Sequence, residues 1–426
     1  MEKNKTVRKP NNLLRYEREI RGWGQNKLGE IIGADPTMIS RWERGSRKPE
    51  RIYQEKLCEL FKKNAIELGF IEPPMSPNIL LQDKTTAIEK PLVTTRFLNM
   101  TPEELIERYK DEKERLITLK TETTEWTIPE VVIFDNTRSH LPISKITAQV
   151  DKSQPEYTIP GKIAGRAKDI LEEIEHHFYD STTIRLNRIQ NNDNSITLIV
   201  SKARYLQYVA TNYAMDALLR ERGWTKSLRD VVHPTTQLCN LEESPLCNHI
   251  GVGTFVFTLD NYLVLPVRSD TNIATWKEKI GPSIAGATSY DDDMWSLKAG
   301  PVASWMREGR EELGLENSDF MDDKDVFFGI TRDLLRGGKP EIYFATQINV
   351  TRAGLEQKFR RARDKWENKE LRWLEFTSPL TPPTTEQEHS TFLQEFSHLL
   401  DLYHDQLSRP AQIGFTFWFN YMMSSI

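Results

Sequence analysis

Arg307-Glu308-Gly309-Arg310-Glu311-Glu312-Leu313-Gly314-Leu315 decides the fold of the larger part of this 426-residue chain. Wound as a helix, the run sets Glu308, Glu311 and Glu312 at i, i+3 and i+4, so three carboxylates share one face. Left alone they repel one another. A hard cation such as Mg²⁺ or Mn²⁺, which takes oxygen ligands, relieves that repulsion. Gly314 supplies the break that ends a short helix. A lone Glu-x-x-Glu-Glu is most simply a solvated acidic face, but the nine residues together are more specific than that.

The string resembles the end of the Nudix box, Arg-Glu-U-x-Glu-Glu-x-Gly-U with U apolar. Resemblance to Nudix hydrolases implies an α/β/α sandwich that binds nucleoside diphosphates linked to another group, with a metal bridging the pyrophosphate and helping water attack it. It implies Glu308, Glu311 and Glu312 as metal ligands. If the site turns over, Glu311, Glu312 and Arg307 are its catalytic group, with Arg307 orienting the others. The chain departs from the full box in three places. Asp293 and Ala299 stand where the box has its first Gly and first Glu. Gly309 occupies an apolar position, where it weakens a helix by about 1 kcal/mol relative to Ala. The metal-binding end is retained, the loop end is lost, and turnover is left open.

The flanks agree. Residues 250–257 are β-rich, an Asp260-Asn261 turn follows, and 262–267 form a second β-rich run, which predicts a hairpin. Arg268, just past that strand, falls where Nudix proteins often place a cation near substrate phosphates. Residues 281–289 are loop chemistry leading into Asp291, Asp292 and Asp293. Beyond the box the sequence predicts strands at 326–330 and 341–350, a helix at 355–365, a strand at 371–376 and a closing helix at 391–407. This order fits an acidic helix laid on a mixed sheet. The resemblance spans roughly residues 245–410, leaving 411–426 as a C-terminal tail.

A second motif lies between Asn11 and Phe61. Leu28, Ile31 and Ile32 form an apolar face, Gly33-Ala34 make a turn, and Asp35 is an N-cap with Pro36 at the first helical position. The new helix runs Thr37-Met38-Ile39-Ser40-Arg41-Trp42-Glu43-Arg44 and stops at Gly45, with Ile39 and Trp42 facing inward. This pattern, with Gln25 and Leu28, resembles the phage-repressor (XRE/Cro) type of helix-turn-helix DNA-binding domain. The resemblance implies that the helix beginning at Pro36 enters the major groove of double-stranded DNA. Thr37 and Arg41 then reach base edges, Arg41 onto guanine O6 and N7, and Ser40 points outward beside them. Gln25 bonds a phosphate, and Arg44, Arg47 and Lys48 add backbone contacts. Pro36 sits where the family often has a base-reading polar residue. Arg18 and Glu43 fall where it often has a structural ion pair. One such unit per chain implies a homodimer with recognition helices about one DNA turn, roughly 34–36 Å, apart.

Charge follows the same division. Residues 1–70 carry 16 Lys/Arg against 10 Asp/Glu, and the rest of the chain 41 against 52, so a basic head precedes an acidic body. The three cysteines give no disulfide framework and fit a reducing cytoplasm. Cys239, Cys247, His249 and nearby His233 match no zinc spacing and are expected to be ordinary buried groups. The opening Met1 to Lys9 has no apolar run behind it and is no signal peptide, and no stretch approaches the roughly 20 apolar residues of a membrane helix.

Between the two motifs, 71–100 is a proline-containing linker. Residues 101–244 form an α/β lead-in module. There Thr101-Pro102-Glu103-Glu104 is a capping box opening a helix to about Lys120. Strands are predicted at 130–134, 184–189 and 196–201, helices at 163–178 and 205–219, and a polar turn at 190–195. The adjacent His176 and His177 cannot share a helix face. The whole is a multidomain chain: an all-α helix-turn-helix head, a linker, the lead-in module and a Nudix-like α/β body. The expected function is a cytoplasmic, DNA-binding transcriptional regulator that senses a nucleotide-derived small molecule with no membrane partner. The alternative is a metal-dependent Nudix hydrolase carrying a DNA-binding head.

Overall fold

Asp35 caps a helix in the computed structural model: its carboxylate accepts from the Thr37 backbone N–H at 2.7 Å and the Thr37 hydroxyl at 2.6 Å. The residues described are 11–19, 21, 23–44, 47–61, 63, 68–70, 100–174, 180–192, 194–269, 276–289, 300–321 and 323–425. Gly45, most of the 71–100 linker, His176, His177, Asp291, Asp292, Asp293 and Ala299 lie outside them. The chain forms two compact units, 1–88 and 89–426.

The first unit holds helices α1 (Asn12–Glu19), α2 (Gln25–Ile32), α3 (Pro36–Glu43) and α4 (Arg51–Phe61). Gly33 ends α2 at φ 73°, a left-handed conformation that glycine adopts without strain. Gly29 lets the following turn close, because a Cβ there would press on the Ala34 carbonyl oxygen. Leu28, Ile32, Ile39 and Trp42 are buried with Leu14, Leu57 and Phe61. Ile31 does not join that face and is 41% exposed. The core is crossed by one bidentate ion pair: Arg18 donates to Glu43 Oε1 at 2.6 Å and Oε2 at 2.9 Å, both residues being buried.

The second unit is built on one mixed sheet. Its early strands are β1 (Leu116–Lys120) and β2 (Glu125–Asp135). A separate three-stranded sheet follows, from β3 (Ile146–Val150), β4 (Thr182–Asn192) and β5 (Ser195–Arg204) in the order β3-β5-β4. The main sheet resumes with β6 (Gly251–Phe257), β7 (Tyr262–Arg268) and β8 (Ile284–Ala287). It is completed by β9 (Val326–Asp333), β10 (Lys339–Gln347) and β11 (Asn368–Glu375). The order is β1-β2-β9-β10-β6-β7-β11, with β8 on β6. The β10–β6 pair is parallel, in register from Glu341↔Gly251 to Gln347↔Phe257. Along its other edge β6 meets β7 only at Phe257↔Leu263, while Gly251 to Thr254 pair with β8. The sheet therefore forks between β6 and β7.

Both faces of this sheet are covered. On one, Phe255, Phe257, Leu263 and Phe328 pack under the helices Glu386–Tyr403 and Arg409–Met422. On the other, Val252, Val256, Ile330 and Ile342 pack with Trp305 of the acidic helix Gly300–Glu312 and with Ile184, Leu186 and Leu198 of the smaller sheet. No helix among the described residues is long and apolar enough to cross a membrane.

Several boundaries differ from the sequence expectations. The Thr101 capping box is present, but its helix ends at Arg108, and a 3-10 turn then leads into β1. Tyr109 is fully buried, and Leu116, Ile117 and Leu119 alternate into β1 against β2. Because β1 and β2 belong to the main sheet, 101–244 is not a separate module. The predicted 205–219 helix is α-helical only over Tyr205–Tyr208 and widens into a π turn over Val209–Tyr213. There the Thr211 hydroxyl takes the Gln207 carbonyl at 2.6 Å, and Asn212 bonds Asn248 and the Arg336 carbonyl, diverting the chain from a regular ladder. The predicted 355–365 helix is Arg352–Phe359, and the closing helix is Glu386–Tyr403. Residues 411–426 are no tail: Ala411, Ile413, Phe415 and Trp418 are core, and Phe415 stacks on Phe255 at 4.4 Å.

Glu43→Ala leaves the Arg18 guanidinium buried without its carboxylate, a change expected to cost about 3–5 kcal/mol in the first unit. Hydrogen exchange of α1 to α3 amides in the full chain should accelerate accordingly. Unchanged protection would show that the pair contributes nothing to stability.

Candidate functional site

The acidic helix Gly300–Glu312 lies against β8, and glycines set how closely. A Cβ at Gly286 would overlap the Glu308 side chain, and one at Gly309 would stand 2.9 Å from Ile284 Cδ1. Gly309 is therefore a packing contact, where the sequence suggested only a loosened helix. Gly314 ends the helix at φ 73°, with the Leu315 N–H bonded to the Gly309 carbonyl.

Arg307 is the organising cation. It donates to Glu308 Oε1 at 2.6 Å, to Glu311 Oε2 at 2.8 Å and to the Ala287 carbonyl at 3.0 Å, tying the helix to β8. Glu311 also takes Arg363 at 3.2 Å. Among the described residues, Glu312, 2% exposed, has only Asn368 Nδ2 at 3.3 Å. The Oδ1 of that buried asparagine has no hydrogen-bond partner. Glu367 completes the group from the turn before β11, paired with Arg268 at 3.3 Å. Arg268 is the last residue of β7 rather than one beyond it.

Burial and mutual repulsion push Glu308, Glu312 and Glu367 towards their neutral forms. Burial raises the Glu308 carboxyl to about 7 from an ordinary 4.5, and Glu311 adds to the rise while Arg307 opposes it. Glu312 is raised well above the usual range by burial and by Glu367 and Glu308. Glu367 is raised mainly by burial. Among the described residues, no three His, Cys, Asp or Glu side chains converge as a bound cation requires. Arg307 stands between Glu308 and Glu311 in this arrangement. The donor chemistry nevertheless suits a hard cation, which takes carboxylate oxygens and an amide oxygen such as the unpaired Asn368 Oδ1.

A cavity of about 240 Å³ shares Arg268, Gly286 and Ala287 with this group. It lies beside the fork: Gly253 of β6 and its partner Ala285 of β8 line it together with Val252 and with Arg268 at the end of β7. Its far walls are Tyr205, Tyr208, Tyr213 and His249, and its charged lining is Arg336, Lys339 and Glu341. A larger groove of about 1,020 Å³ lies by Leu393, Phe396 and Phe419, among the helices covering the other face and away from the carboxylates.

Sequence reasoning located Glu308, Glu311, Glu312, Arg307 and Arg268 but missed Glu367, Asn368 and the three tyrosines. Glu367 lies in a short turn with no periodicity to mark it. The tyrosine spacing was absorbed by the helix expected there. The cysteines and histidines do not assemble: Cys239 Sγ stands 3.4 Å from His233 Nε2, whereas His249 Nδ1 bonds Thr183 and Cys247 is buried elsewhere.

In the head, Thr37, Ser40, Arg41 and Arg44 fall at i, i+3, i+4 and i+7 and so share one helix face. Thr37, Arg41, Arg44, Arg47 and Lys48 are exposed, and Pro36, Ser40 and Gln25 half-buried. Several of these side chains are engaged within the head: the Thr37 hydroxyl donates to Asp35 at 2.6 Å, Arg44 Nε to the Ser40 carbonyl at 3.2 Å and the Gln25 amide to Glu43 at 2.8 Å, and Arg47 pairs with Glu50 at 2.7 Å.

No family model matches the chain, and no curated protein matches it. Among solved structures it is similar to DR0079 from Deinococcus radiodurans, at 15% identity over 38% of this chain and 83% of that one, with a TM-score of 0.22.

Because the fold raises the Glu308 pKa, its protonated form stabilises the metal-free protein. That contribution is complete below about pH 4.5 and is lost as pH rises through 7. His233, depressed to about 3 by burial and nearby arginines, has the opposite slope, complete above 6.5. Between pH 6.5 and 8 the thermal midpoint should therefore fall with rising pH, and Glu308→Gln should flatten the fall. Equal slopes in wild type and Glu308→Gln would refute the assignment.

Proposed function

We propose that the chain is a DNA-binding regulator whose Nudix-like body binds a nucleoside-diphosphate derivative together with Mg²⁺ or Mn²⁺. The observation that carries this is the buried group of Glu308, Glu312 and Glu367, shifted by burial towards their protonated forms, beside a cavity and an amide oxygen with no partner among the described residues. Buried acids without sufficient counter-charge cost stability, and structures retain them where something compensates on binding. A divalent cation supplies that compensation and draws in phosphate oxygens to complete its shell. Glu308 and Glu312 release their protons on binding, so affinity rises with pH. Arg307 turns from Glu308 while keeping Glu311, and Arg268 is placed to meet a phosphate at the cavity rim. The head is a helix-turn-helix of the phage-repressor type, acting as a homodimer, with Arg41 and Thr37 reading bases and Lys48 on the phosphate backbone.

Hydrolysis is the second reading. It draws on the same group, in which Glu311 and Glu312, with Arg307 orienting them, would serve a metal-activated water.

Calorimetry of ADP-ribose with and without Mg²⁺, alongside an assay for phosphate-bond cleavage, tests the body. Glutamine mimics a protonated acid, so Glu312→Gln should keep the metal-free fold and lower metal-dependent affinity at least tenfold. Rapid metal-dependent cleavage would convert the reading to an enzyme, and binding indifferent to both metal and Glu312 would remove the site.

For the head, selection from a random duplex pool should yield a preferred sequence. Arg41→Ala should weaken binding to it by about 1–3 kcal/mol and relax one base position, while Lys48→Ala weakens all sequences alike and flattens the salt dependence. Equal losses for Arg41→Ala on selected and random DNA would refute its base-reading role.

A further inference from the structure

We propose that the Tyr205–Tyr213 segment forms the base-binding wall of the ligand site, so that residues well before the Nudix-like stretch select a nucleobase carrying an exocyclic amino group. The inference rests on the phosphate-end reading above and extends it to the cavity at the fork.

Size limits what enters. At about 240 Å³ the cavity falls below the roughly 300–1,000 Å³ that enclose whole drug-sized ligands, so it takes one ring system and leaves phosphates outside. The outlet is fixed by shared walls: Gly286 packs on Glu308, and Ala287 accepts from Arg307. A base seated in the cavity thus directs its phosphates toward Arg268 and the buried acids.

The lining is aromatic. Tyr205 and Tyr208 lie 5.4 Å apart, with His249 4.9 Å from Tyr208 and 5.9 Å edge-on to Tyr205. Trp276 adds a further ring at the mouth. Flat heterocycles stack on such surfaces whatever their sequence identity. The nearby charges do not make a second anion site. Lys339 is paired with Glu341, and Arg336 lies 3.7 Å from Asp333 and 3.8 Å from Glu341, so the cations are already matched.

Hydrogen bonding supplies the selectivity. Thr183 donates its hydroxyl proton to the Thr288 carbonyl at 2.7 Å, so it must accept from His249 Nδ1–H. Burial beside Lys339 and Arg336 keeps that imidazole neutral. A neutral ring protonated at Nδ1 offers Nε2 as an acceptor. Together with the Glu341 carboxylate it calls for donor hydrogens on the ligand, which an exocyclic amino group provides.

The test is calorimetry on the full chain with three probes: inorganic pyrophosphate plus Mg²⁺, adenosine, and uridine. Adenosine should bind more tightly than uridine. Tyr205→Leu should weaken adenosine about 5- to 100-fold, the range expected for one lost stacking partner, and leave pyrophosphate unchanged. Trp276→Leu provides a second stacking variant should Tyr205→Leu fail to fold. His249→Phe keeps a ring but removes the acceptor, and should abolish the preference for adenosine over uridine. Adenosine binding without pyrophosphate binding would sink the phosphate-end reading and leave the base wall standing. Equal binding of the two nucleosides to wild type, or adenosine affinity unaffected in both Tyr205→Leu and Trp276→Leu, would overturn the proposal.

Discussion

The second unit depends on covering both faces of one mixed sheet with apolar surface. The cost of that cover falls on the acidic helix. Trp305 anchors it in the core, and the face carrying Glu308 and Glu312 is drawn in with it. Partial compensation comes from Arg307, which crosses to Glu308, Glu311 and β8, and from Asn368 on Glu312. Neither partner offsets the burial that shifts Glu308 and Glu312 towards protonation. Packing thus sets the electrostatics: the contact between Gly286 and Glu308 that brings the helix close is also what dries the carboxylate.

The fork in the sheet gives this charge a place to act. The β8 strand takes the edge that β7 leaves, pairing Ala285 with Gly253, and both residues line the cavity. Ser283 helps hold the fork, its hydroxyl donating to the Val264 carbonyl at 2.6 Å and accepting the Val256 N–H at 2.8 Å. Tyr213 of the π turn Val209–Tyr213 then lines the opening together with Tyr205 and Tyr208 of the helical turn before it. Such irregular turns are frequent at functional sites because they re-aim side chains that a regular helix would point elsewhere.

Local chemistry in the sequence was legible wherever one residue type has one physical use. Asp35-Pro36 marked a helix start, Thr101 to Glu104 a capping box and Asp260-Asn261 a turn, and each stands where it was read, although the strands joined at Asp260-Asn261 pair only at Phe257↔Leu263. What the sequence concealed depended on partners. Leu116 to Lys120 extends a charged helical pattern until β2 is present to pair with it. Arg409–Met422 buries most of its circumference, so its exposed face is too narrow to mark it as a surface helix. In the site, three acids on one helix were visible from their spacing, whereas Glu367 became part of the group only through Arg268, 99 residues earlier in the chain.

The sheet order has one consequence for how such a chain is inherited. The strand next to β9 is β2, paired from Glu130↔Asp333 to Asp135↔Gly329. A gene segment beginning at residue 245 would therefore encode a sheet with an open flank. Its row of amide and carbonyl groups along β9 would invite pairing with any passing strand. Recombination could exchange the head at the junction between the two compact units. It could not lift out residues 245–410 alone, because that stretch borrows its border from sequence more than a hundred residues upstream.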